Sequence, residues 1–161
     1  CGKVYRYQLI DTRRRGPMLR RTHWLVRYPL DVESMREAAG ALIGEHDFSA
    51  FVTELSTIQA QRAEDEKEPL STVRHITGVN VTDRYLDEFG VREITVRIEG
   101  VSFLYKMVRT IVGSLVEVGR GRFPPEWLGE VLASKDRRRA GPTAPPQGLT
   151  LMDVLYGRTT G

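Results

Sequence analysis

Residues 103–121, FLYKMVRTIVGSLVEVGRG, constrain the fold more than any other stretch of the chain. Leu104, Met107, Val108, Ile111, Val112, Leu115, Val116 and Val118 recur at three- and four-residue spacings, the period of a helix with one face on a core. The spacing predicts a helix over about 103–118, ended by Gly119 and Gly121. Such a face has to be covered by a sheet or by other helices. Beside it, directly after Met107 and Val108, stands Arg109. A guanidinium next to a packed face is costly unless a carboxylate or phosphate receives it. The sequence therefore asks for a partner to Arg109.

The remaining chain supplies strands and two further helices. KVYRYQLI (3–10) alternates and favours a strand through Val4, Tyr5 and Tyr7. DTRRRGPM (11–18) reads as a polar turn, and HWLVRY (23–28) continues extended. Asp31 is the expected N-cap of a helix over 32–44, with Met35, Ala38, Ala39, Leu42 and Ile43 on one side and Gly44 as its stop. Leu55 to Pro69 is polar and acidic and reads as a mobile loop. STVRHITGVNVTDRYL (71–86) and VREITVRIEG (91–100) read as an antiparallel hairpin around the turn DEFG (87–90). Pro124 and Pro125 open a helix to about Ser134. KDRRRAGPTAPPQG (135–148) is too rich in Pro and Gly for regular structure. LTLMDVLYG (149–157) is a last strand. The order strand, helix, strand, strand, helix, helix, strand is an α+β pattern, with a mixed or mostly antiparallel sheet and helices on one face.

The chain has 161 residues, 40% of them hydrophobic, enough for one compact domain over 1–161. Its 28% charged residues do not make a disordered composition. The single cysteine, Cys1, allows no internal disulfide, and a reducing compartment is expected. No apolar run reaches the roughly 18 residues of a membrane span. The opening CGKVYRYQLI already reads as a strand and lacks Met, so a piece of a longer protein is expected. The net charge is only +3, but basic residues gather at 6–24 and 135–141. Such runs are ordinarily solvated loops, and they are also what meets phosphates in nucleic acids.

No metal site is expected, because His23, His46 and His75 are scattered and Cys1 lacks a partner at zinc-like spacing. No phosphate-binding Gly-rich loop and no Gly-x-Ser-x-Gly occurs. Four features remain. In Tyr5-Arg6-Tyr7 the two rings share a strand face, either in a core or under a base. In GEHDFSAF (44–51), Asp47 and Ser49 can bond backbone groups while Phe48 and Phe51 pack. Arg109 could simply snorkel from the helix edge. In APPQGLTL (144–151), Gly148 permits a close backbone or ligand, or merely a turn.

Together KVYRYQL, GEHDFSAF, FLYKMVRTIVGSLVEVG and APPQGLTLMDVLY resemble, in order and over nearly the whole chain, the TruA-type tRNA pseudouridine synthases. The resemblance implies the pseudouridine synthase fold, here its C-terminal half. It also implies isomerisation of uridine to pseudouridine at positions 38 to 40 of the tRNA anticodon stem-loop, without cofactor or metal. It implies a cytoplasmic enzyme and a homodimer sharing one tRNA across two copies. The family's nucleophilic aspartate lies in an Arg-Thr-Asp-Ala-Gly-Val-His type motif that does not occur here. Asp11, Asp31, Asp47, Asp65, Asp83, Asp87, Asp136 and Asp153 all have other neighbours. The expected protein is therefore the C-terminal domain without its nucleophile, inactive alone, with the N-terminal half as its missing partner.

Residue by residue, the resemblance makes Tyr5 the ring that stacks on the target uracil and the suspected base at its C5. It makes Arg109 the partner of the catalytic aspartate, while Gly148 and Leu149 line the uracil pocket and Phe103 and Val108 pack behind it. Lys106, Arg74, Arg137, Arg138 and Arg139 are candidates for tRNA phosphates. Two other functions fit the composition. A catalytically inactive RNA-binding module would bind tRNA in a salt-dependent way and never turn over. A protein–protein domain would leave the Tyr5, Arg109 and Gly148 pattern without a purpose.

Overall fold

A computed structural model describes residues 2–11, 19–52, 71–86 and 90–155. Apart from Asp11 and Gly90, the turns expected at 11–18 and 87–90 lie outside these residues, as does the acidic loop at 55–69. β1 (Gly2–Asp11) lies at the centre of a six-stranded sheet. One side of β1 pairs antiparallel with β5 (Arg92–Gly100) from Lys3↔Gly100 to Asp11↔Arg92. Its other partners divide its length. β6 (Leu149–Leu155) runs antiparallel to Gly2–Tyr7, and β2 (Trp24–Val26) runs parallel to Leu9–Asp11. β4 (Val73–Tyr85) pairs with β5 in the expected hairpin, and β3 (Gly44–Asp47) closes the far edge against β4. The sheet is thus mixed and mostly antiparallel, as the sequence reading holds.

Helices α1 (Val32–Ala39), α2 (Met107–Gly119) and α3 (Glu126–Ser134) cover one face. Alternation sends Tyr7, Leu9, Ile94, Val96 and Ile98 toward them, and all five are fully buried. The opposite face carries Asn80, Thr82 and Arg97, which are exposed. α2 is buried nearly all round because α1 and α3 flank it over the sheet. Each wholly buried aliphatic side chain there contributes about 1.5–3 kcal/mol of transfer free energy.

Several boundaries differ from the sequence reading. α2 begins at Met107 rather than near Phe103, because Lys106 adopts a left-handed conformation (φ 57) that a helix cannot pass through. α2 ends as expected: Arg122 N donates to Glu117 O (3.1 Å) and Gly121 N to Val118 O (3.0 Å), a Schellman closure at Gly121. α1 starts at the expected cap, with Asp31 Oδ1 accepting from Ser34 N at 3.2 Å. It is shorter than 32–44, since a 3₁₀ turn (Gly40–Leu42) follows and Gly44 opens β3 with φ 106. GEHD contains no β-branched residue and no Phe, Tyr or Trp to mark β3 as a strand, and only its register with Val73–Ile76 makes it one. The Pro/Gly-rich stretch 135–148 holds two short 3₁₀ turns, Arg137–Arg139 and Pro146–Gly148.

Candidate active site

The left-handed turn at Lys106 opens a cleft between the start of α2 and the β1/β6 edge. It measures about 450 Å³ and is lined by Tyr5, Phe103, Tyr105, Lys106, Arg109 and Leu149, among others. That volume lies within the roughly 300–1,000 Å³ typical of small-ligand sites. Tyr5 stands half-buried in its wall, edge-on to Phe103, with ring centres 5.1 Å apart at 88°. The two tyrosines of Tyr5-Arg6-Tyr7 share a face but not a fate. Tyr7 is fully buried and donates its hydroxyl to Pro145 O at 2.5 Å. Burial pushes the Tyr7 phenol well above its ordinary value, and the nearby Arg109 charge offsets only part of that.

Arg109 projects from the first turn of α2. Its Nε donates to Ala144 O (2.7 Å), while Ala144 N donates back to Arg109 O (3.0 Å). The segment 141–144 is fastened along α2 by further bonds, Thr110 Oγ1 to Thr143 Oγ1 (3.1 Å) and Gly141 N to Ser114 Oγ (2.9 Å). Gly113 permits this contact: a Cβ there would overlap the Pro142 carbonyl oxygen. The clamp uses Nε, and among the described residues nothing bonds the two terminal nitrogens of the guanidinium, which belongs to the cleft lining. Among the described residues no carboxylate pairs with Arg109, and no aspartate lines the cleft. A planar, always-charged fork beside an apolar wall is suited to a carboxylate or phosphate from outside.

The other expected site residues divide. Val108 and Leu149 line the cleft with Phe103. Gly148 lies behind them, where a Cβ would come within 2.7 Å of both the Tyr7 ring and Gln8 O. Of the basic candidates only Lys106 reaches the cleft. Arg74 is on β4, its Nη1 donating to Ser71 O and Val73 O, and burial pushes its guanidinium down from its ordinary value. Arg137 turns onto Thr143 Oγ1 (3.3 Å), Arg138 is tied to Asp136 (3.1 Å) and Arg139 is exposed. Arg137 and Arg138 share a second hollow of about 430 Å³ with Lys135, Ser49 and Thr72. The sequence reading missed Tyr105, Thr143, Ala144 and Pro146. Ala144 lies 35 positions from Arg109, and no local pattern joins them.

No group of three or more metal-ligating side chains occurs among the described residues, and none of their helices is long and apolar enough to cross a membrane. The family model described as "tRNA pseudouridine synthase" matches residues 38–157. The chain belongs to the tRNA pseudouridine synthase family. It is 48% identical over 96% of its length to a tRNA pseudouridine synthase A from Myxococcus xanthus, covering 52% of that protein. It is 43% identical over 96% of its length to a protein of the same name from Syntrophotalea carbinolica, covering 55% of it. The chain thus spans about half the length of the curated relatives it matches. Tyr5 lies ahead of the family-model match, while the similarity to these relatives takes in nearly the whole chain.

Proposed function

We propose that this chain forms one wall of the catalytic cleft of a tRNA pseudouridine synthase acting on the anticodon stem-loop, and that an aspartate outside these 161 residues completes the site. The reaction breaks N1–C1′ of uridine, turns the uracil, forms C5–C1′, and moves one proton off C5 while N1 takes one up, with the base first withdrawn from its stack. Tyr5 stacks on the uracil from the cleft wall and serves as the candidate acceptor of the C5 proton, with Phe103 and Leu149 shielding the ring from water. Arg109 holds the incoming aspartate ionised and aimed through its two free nitrogens. The observation that carries this reading is the Arg109 guanidinium, fixed by Ala144 at the rim of an apolar cleft with no carboxylate of the described residues to receive it.

The exposed apolar side chains of β6, Leu151, Met152, Val154 and Leu155, support a further piece of sheet beside this strand. Lys106 takes a phosphate at the cleft mouth, and Arg74, Arg137, Arg138 and Arg139 meet the backbone farther along the stem. Pairing of two copies around one tRNA belongs to the same proposal and is read from particle mass with and without tRNA. The test of the catalytic division is tritium release from tRNA labelled at uridine C5. The chain alone is expected to release none, and the chain mixed with the amino-terminal half of its Myxococcus xanthus relative is expected to release it. Release by the chain alone overturns the division.

A further inference from the structure

We infer that Tyr105 and Lys106 form a platform for the nucleotide next to the target uridine, the ring stacking on its base and the ammonium receiving its phosphate. This rests on the functional reading above, which gives Lys106 a phosphate; it adds the Tyr105 ring and places that phosphate on the neighbouring nucleotide. Within the cleft wall the aromatic side chains point different ways. Phe103 is half-buried against Tyr5, whereas Tyr105, two residues on, is 48% exposed at the mouth of the same cleft. Lys106, with a left-handed φ of 57, stands between the exposed Tyr105 and the fully buried Met107.

Glycine adopts that conformation freely, and α2 has glycines elsewhere, at Gly113 and Gly119. Among the described residues only Lys106 and Lys135 adopt it without being glycine, and strain of this kind gathers at ligand-binding sites; of the two, only Lys106 lines the cleft. The side chain is put to use. Lys106 Nζ sits 5.4 Å from the centre of the Tyr105 ring, which holds the ring and the charge together. Arg92, Arg120, Arg122, Lys135 and Arg138 each have a carboxylate within 4.0 Å, but among the described residues Lys106 has none. An exposed ring beside an unpaired cation is the arrangement that binds unstacked nucleotides without sequence preference. A base withdrawn for chemistry takes one stacking partner from its neighbour, and Tyr105 offers that bared face a surface.

The test uses the full-length protein carrying this chain and an anticodon stem-loop RNA. Tyr105→Ala is expected to lower kcat/KM five- to a hundredfold, with the loss carried by KM, and Tyr105→Trp to restore it. An abasic nucleotide placed in turn on each side of the target uridine costs the wild type that same factor on one side, and costs Tyr105→Ala nothing further. Lys106→Gly is expected to reduce the slope of log affinity against log salt by about 0.7, one phosphate on a single strand, while its thermal midpoint holds or rises. Losses of Tyr105→Ala and the abasic site that multiply, or an unchanged salt slope in Lys106→Gly, overturn the platform. If the wild type makes no pseudouridine, the functional reading fails. The same titrations, read as Kd, still decide the platform.

Discussion

At the scale of the residue, Arg109 is the side chain whose setting most limits what the protein can do. Ala144 O occupies its Nε, so the guanidinium is fixed in direction while two nitrogens remain available. Lysine carries its three donors on one nitrogen and lacks the planar fork that would span the carbonyl and the proposed aspartate together. Arg109→Lys in the full-length protein is therefore expected to lower kcat/KM roughly ten- to a hundredfold, on the order of the 1.5–3 kcal/mol of one hydrogen bond to a charged group. Its melting temperature is expected to stay within about 2 °C. Pseudouridine formation and a thermal melt check the two halves of this statement. Tyr5 offers a second check: Tyr5→Phe keeps the ring against Phe103 and removes only the hydroxyl. It is expected to retain stem-loop affinity and lose turnover, and equal loss of both would assign Tyr5 to packing alone.

At the scale of the element, α2 and the segment 141–148 act as one unit. The Gly113 contact, the Thr110–Thr143 bond and the Ala144–Arg109 exchange place Pro145 over the Tyr7 hydroxyl and Leu149 in the cleft wall. Gly113→Ala adds one methyl where no space exists. It is expected to destabilise the fold by about 1–3 kcal/mol, a fall in melting temperature of roughly 2–12 °C, with reduced activity because Arg109 loses its aim. Activity equal to wild type despite that fall would separate the clamp from catalysis. The helix itself was legible from its spacing, and so was its closure at Gly121. Its start was not, since nothing in FLYKMVR marks Lys106 as left-handed until the aromatic and apolar side chains around it have been placed.

At the scale of the whole molecule, buried ion pairs tie the sheet to the elements around it. Asp11 at the end of β1 binds Arg92 of β5 and also accepts from Leu30 N (2.9 Å), just ahead of α1. Hydrogen bonding to Asp11 is the main reason the Arg92 guanidinium is raised above its ordinary value. Arg92→Met leaves the Asp11 carboxylate buried without its partner, and a loss of about 3–5 kcal/mol is expected in a denaturant melt. Across the sheet, Glu93 is buried beside His23 (2.7 Å) and Arg84 (2.9 Å). Burial alone would raise the Glu93 carboxyl, but hydrogen bonds from His23 and Arg84 outweigh it and hold it below the usual range. A lowered carboxyl contributes stability that is present above its unfolded value, about 4.3, and is lost as pH falls through its folded value. Asp47, bonded by Thr72 and Ser49, is lowered in the same direction. The melting temperature is expected to fall as pH drops below about 4.3, with a shallower acid decline in Glu93→Gln. Identical declines would remove Glu93 from the cause.

The sequence by itself determined the periodic elements: β1, the β4–β5 hairpin, the body of α2, the Asp31 cap and the α+β class. These depend on spacing and on the chemistry of adjacent residues, which a linear reading contains. It also named Arg109, Tyr5 and Leu149, through the resemblance those stretches bear to one family. Only the tertiary structure decided that Tyr5 faces a cleft while Tyr7 is sealed beneath Pro145. It alone made GEHD a strand, turned Arg137 toward Thr143, and put the Ala144 carbonyl on Arg109. Each of these depends on a partner distant in sequence, and a hydrogen bond or close contact of that kind leaves no period in the chain.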